Sequence, residues 1–118
     1  MFNYFNTYNK KKPMLSEEKC RTNIRKARKS LAEIKTAIAE ADDPSVLKLL
    51  RECRDLLVDI IEVIEDRVSA VKDLDVARSQ WNQYQMNESI KRIDLCDFEL
   101  GKLRHRVDAL ERKCKLIF

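Results

Sequence analysis

Residues 93–117 read IDLCDFELGKLRHRVDALERKCKLI, and their spacing decides the fold. Apolar side chains fall at Ile93, Leu100, Val107 and Cys114, and again at Cys96, Leu103, Leu110 and Ile117. These are the a and d positions of consecutive heptads with no polar break, so the segment is a helix whose one seam must lie against another helix. On its flanks Arg92, Glu99 and Arg106 precede Asp97, Arg104 and Glu111 by five residues, each pair opposite in sign. Pairs of that spacing meet across a parallel two-stranded coiled coil. The pattern therefore predicts a homo-oligomer, a dimer by preference, although an antiparallel helix of the same chain would fill the same seam.

The preceding segment is apolar around more of its girth. Val46, Leu50, Cys53, Leu57, Ile60, Ile64, Val71 and Leu74 form one seam, flanked by Leu49, Leu56, Val63, Ala70 and Ala77 on one side and Val58, Ile61 and Val68 on the other. A helix this broadly apolar touches more than one neighbour, which makes it the central element. It begins after Asp42-Asp43-Pro44, where an acidic cap meets a proline suited to the first helical position. So short a connector folds it back antiparallel on a first helix. That helix is predicted to start at Ser16, a capping hydroxyl followed by Glu17 and Glu18, with Leu15 and Cys20 as a hydrophobic staple. Its seam runs through Cys20, Ile24, Ala27, Leu31, Ile34, Ile38 and Ala41.

Between the second and third helices, residues 79–87 carry Trp81 and Tyr84 among Gln and Asn, with neither Gly nor Pro. One helix through residues 44–117 would be ~110 Å long and wet along its middle. A turn is expected instead, with Asn87 capping the third helix. The expected helices thus span residues 16–41, 44–79 and 88–117. Residues 1–15, with Phe2, Tyr4, Phe5 and Tyr8 followed by Lys10, Lys11 and Lys12, show no stripe and read as a flexible aromatic and basic arm.

Composition agrees. One Gly and two Pro in 118 residues cannot punctuate a sheet protein, and 37% charged with 44% hydrophobic residues suits long amphipathic helices. The fold class expected is all-α: a three-helix, antiparallel, coiled-coil-like bundle with an N-terminal arm, oligomeric through its seam. No run reaches the ~18–20 apolar residues of a membrane span, and the start lacks the pattern of a secretory signal. No membrane partner is expected, and the location expected is cytoplasmic, or nuclear in a eukaryote.

The chemistry of catalysis is missing from the pattern. Cys20, Cys53, Cys96 and Cys114 lie 33, 43 and 18 residues apart, without the close pairs that structural zinc requires. All four fall on apolar seams, as small buried hydrophobes do in a reducing compartment. His105, the one histidine, sits at an outward f position with no Cys or Ser placed beside it. Glu52, Asp55, Asp59, Glu62 and Asp66 step three and four along the second helix, yet no Glu-x-x-His motif accompanies them as in helix-bundle dimetal sites. They read as a solvated face, with docking of a basic surface as the sharper alternative. No catalytic residue, cofactor or metal is expected, and the protein is read as a non-enzyme.

Charge is segregated along the chain. Residues 1–35 hold ten Lys and Arg against three acids, whereas residues 36–80 hold six against eleven. Arg21, Arg25, Arg28 and Lys35 share one ridge of the first helix, and Lys26 and Lys29 lie beside it. Cations near a helix N-terminus oppose the helix dipole, so the arrangement is mildly costly to the fold and points to recognition. The leading expectation is a non-catalytic helical binding protein, an adaptor, assembly subunit or inhibitor. It would engage an acidic protein surface through Lys10, Lys11, Lys12 and the first helix. The alternative is a nucleic-acid-binding accessory protein using the same bases on phosphates, with arm aromatics stacking on bases.

Overall fold

The computed structural model describes residues 17–117, except the side chain of Ile117. Three helices follow in order: α1 (Glu17–Glu40), α2 (Pro44–Ser79) and α3 (Gln83–Ile117). Among the described residues there is no strand. The aromatic arm, its three lysines, the Ser16 cap and the Leu15 staple lie outside the described residues.

The elements form a rod of 57 × 24 × 17 Å. α2 is its axis: α1 and α3 both pack along it and scarcely touch one another. That is why α2 needs apolar side chains on more than one face. Leu56, Leu57, Ile60 and Ile64 are all at most 2% exposed. Fully burying each such side chain contributes roughly 1.5–3 kcal/mol. The larger core joins them to Cys20, Ile24, Ala27 and Ile34 of α1 and to Leu100, Leu103, Val107 and Leu110 of α3. A smaller core, Ala70, Val71, Leu74 and Ile93 with Met86 against it, holds the other end of the α2–α3 pair.

The first connector works as the sequence implies. Asp43 adopts extended backbone, its side chain accepts from the Ser45 amide at 2.8 Å, and Pro44 opens α2. The second connector is tighter than expected. Trp81 N–H donates to the Arg78 carbonyl at 3.2 Å and Asn82 N–H to the Ala77 carbonyl at 3.0 Å. This bond pair is a Schellman motif, and it places Trp81 in the left-handed region with φ 56°. Glycine usually occupies that position. Asn82 then caps α3 by accepting from the Gln85 amide at 3.1 Å. The cap is therefore Asn82, not Asn87, and α3 begins five residues earlier than its apolar pattern suggests. Asn87 instead lies in the first turns of α3, where its Oδ1 accepts from Gln83 at 2.9 Å.

The seam of α3 is filled within the chain. Ile93, Cys96, Leu100, Leu103, Val107 and Leu110 are all 7% exposed or less against α2, and Cys114 packs half-buried on the same cluster. An antiparallel neighbour in the same chain removes these positions from water, which is the alternative that the heptad stripe leaves open. The flanking bases pair within the chain as well. Arg92 pairs with Asp73 at 2.7 Å, Arg106 with Asp59 at 3.3 Å and Lys113 with Glu52 at 3.4 Å, all on α2. Asp73, Asp66, Asp59 and Glu52 recur every seven residues opposite Arg92, Glu99, Arg106 and Lys113, as antiparallel flanks do. Where Glu99 would face Asp66, Arg92 reaches across to Asp66 at 2.9 Å and Glu99 takes Lys102 at 3.2 Å.

Candidate binding face of the first helix

The 3.6-residue repeat of α1 turns Cys20, Asn23, Ile24, Ala27 and Ile34 inward. The same repeat leaves Arg21, Arg25, Lys26, Arg28, Lys29 and Lys35 exposed. Two of these arginines are tied down. Arg21 pairs with Glu17 at 2.7 Å, and Arg28 reaches Glu65 of α2 at 2.6 Å. The hydrogen bond from Arg21 holds the Glu17 carboxyl below the usual carboxylate range, with Lys72 adding to it. Arg25 makes a 3.3 Å hydrogen bond to the Thr22 hydroxyl. Arg25, Lys26, Lys29 and Lys35 form no ion pair among the described residues.

Beside this ridge a groove of ≈ 370 Å³ runs between α1 and α2. Arg21, Arg25 and Arg28 form its rim, Ile24 and Val68 its apolar floor, and Glu18 and Glu65 also line it. Planar guanidinium forks at a rim match carboxylates in bidentate geometry, and an apolar floor accepts an aliphatic or aromatic side chain.

The acidic ridge of α2 is largely solvated, as expected of it, with Asp55, Glu62 and Asp66 exposed, and it also pairs with α3. Glu52, Asp59 and Asp66 are engaged by Lys113, Arg106 and Arg92 of α3. Asp55 contacts its neighbour Arg54 at 3.1 Å, and Glu62 is exposed. The Arg92 hydrogen bond holds the Asp66 carboxyl below its ordinary range, helped by a donated bond from Cys96 at 3.3 Å. Burial, then Asp66, pushes the Cys96 thiol up to about 12. The ridge is therefore a solvated face that also carries three ion pairs to α3. His105 is exposed, and among the described residues no group of three or more His, Cys, Asp or Glu is placed to hold a metal ion. No helix among the described residues is long and apolar enough to cross a membrane.

Sequence reasoning missed the polar centre of the bundle. Arg67 is 2% exposed, donating from Nε to Asp97 Oδ1 at 2.8 Å and from Nη1 to Cys20 Sγ at 3.3 Å. It links all three helices and sits between the two apolar cores. Burial pulls its pKa down, but Asp97 and Cys20 outweigh that, and the net direction is upward. A signal was present: the second-helix seam steps in threes and fours and then jumps seven from Ile64 to Val71, skipping position 67. Asn23, 5% exposed, left no such mark.

Comparison with protein-family models, with curated proteins and with solved structures finds no match to this chain.

Proposed function

We propose that this chain is a non-catalytic helical binding protein whose first helix engages an acidic surface of another protein. One contrast carries the reading. Three bases of α3 (Arg92, Arg106 and Lys113) are neutralised by α2, whereas Arg25, Lys26, Lys29 and Lys35 of α1 stand exposed without ion pairs among the described residues. Lys10, Lys11 and Lys12, outside the described residues, add to the same sign of charge. Exposed, uncompensated cations accelerate encounter with an acidic partner, and the effect fades with salt. Lasting affinity would come from the groove, where an apolar anchor of the partner meets Ile24 and Val68 while its carboxylates meet the arginine rim.

The test uses fluorescence anisotropy with two probes, a labelled amphipathic peptide rich in Glu and Leu and a labelled duplex or single-stranded oligonucleotide. The peptide should bind at low salt, and Arg25→Glu with Lys29→Glu and Lys35→Glu should abolish that binding while leaving helicity intact. Tighter binding of the oligonucleotide, lost in the same variant, would transfer the face to nucleic acid. Silence from both probes would remove the proposal.

A further inference from the structure

Cys53 of α2 and Cys114 of α3 meet at the end of the bundle opposite the Trp81 turn. The antiparallel register brings them together, because the residues just before them in sequence, Glu52 and Lys113, pair at 3.4 Å. Cys53 is 2% exposed, and Cys114 packs half-buried against the same apolar cluster. The register sets the two side chains opposite one another across α2 and α3, on one apolar cluster. Burial pushes the Cys53 thiol up to about 12, and the next largest influences on it are the charge and hydrogen bond of Cys114. Both cysteines are free, and Cys114 lies in the last turn of α3, where helix ends open most readily.

We propose that this thiol pair is a redox modification site: Cys53 and Cys114 close a reversible intramolecular disulfide that staples the C-terminal turn of α3 to α2. The oxidant is a low-molecular-weight disulfide of the glutathione class. The Cys114 thiol loses its proton to solvent, its thiolate attacks one sulfur of the oxidant, and the first glutathione leaves as a thiolate. Cys53 then loses its proton, attacks the Cys114 sulfur and expels the second glutathione. Two protein thiols become one disulfide, and one glutathione disulfide becomes two glutathione thiols. Cys114 attacks first because it is the more accessible of the two. Arg112 and Lys115 around it are exposed and draw in the anionic oxidant. Cys53, deeper in the bundle, takes the resolving step once a local opening of the last turn admits water and lets it ionise. The other two thiols are committed elsewhere, Cys20 to Arg67 and Cys96 to Asp66.

The experiment treats the reduced full-length chain with oxidised glutathione under native conditions and reads intact mass, non-reducing peptide maps and thermal melts. The expected result is a mass lower by two hydrogens, a Cys53–Cys114 linked peptide, Cys20 and Cys96 still free, and a midpoint raised by on the order of 10 °C that dithiothreitol reverses. Cys53→Ser should instead accumulate a stable glutathione adduct on Cys114. Cys114→Ser, altered at the less buried position, should stay unmodified. A wild-type chain that keeps glutathione on Cys114 without closing, that pairs other cysteines, or that links only between copies would overturn the proposal.

Discussion

Arg67 Nε lies 2.8 Å from Asp97 Oδ1, with the guanidinium sealed inside the bundle and the carboxylate 44% exposed at its edge. The two halves of this pair should respond very differently to mutation. Asp97→Ala strands a buried cation and should cost about 3 kcal/mol. Arg67→Met removes the charge, leaves a carboxylate that water can reach, and should change stability by no more than about 1 kcal/mol. Urea titrations of the two variants separate these outcomes; equal losses would mean that the pair is not governed by desolvation.

Trp81 occupies a left-handed position and is 90% exposed, so the fold gains little burial from it. Trp81→Gly should stabilise the chain by about 1 kcal/mol, because glycine adopts this backbone without the steric cost. Trp81→Ala keeps the cost and should gain nothing. Thermal melts monitored by circular dichroism distinguish the pair.

Leu103 is 7% exposed between α2 and α3. Leu103→Lys should therefore cost more than about 3 kcal/mol and melt the helices, through cavity formation and burial of a charge. Sedimentation beside circular dichroism checks this. A well-folded variant of lower mass would restore the seam to an oligomer.

Asp66 and Glu17 are both held below their ordinary carboxylate range, by Arg92 and Arg21 respectively. A depressed folded pKa contributes stability above the unfolded value and loses it as pH falls through the folded one. The urea midpoint should thus stay level from pH 7 to pH 5 and decline below about pH 4. Asp66→Asn should lower stability at pH 7 and flatten part of that decline. Both carboxylates are partly exposed, so the slope should be shallow and weaken with salt.

The α1 face was legible because its bases and its apolar stripe obey one helical repeat, so burying Ile24 and Ala27 forces Arg25 and Lys29 outward. The α2 acids were read correctly as a solvent-facing ridge, but their pairing with α3 was not, since periodicity records which residues share a face and says nothing about which neighbour that face meets. Arg67 escaped notice because an arginine at a core position looks like a break in the pattern. Its partners lie 30 and 47 residues away in sequence.

Local physics sufficed for the three rods and the first connector: apolar side chains recur at helical spacing, and an Asp43 cap followed by Pro44 favours a helix start. Tertiary contact alone decided what fills the third helix's seam. A heptad stripe is satisfied by any apolar partner, parallel or antiparallel, in the same chain or another. The tight Trp81 turn settled the matter by bringing α3 back onto α2, and α2's heptad of acids, presented to Arg92, Arg106 and Lys113, complements that register.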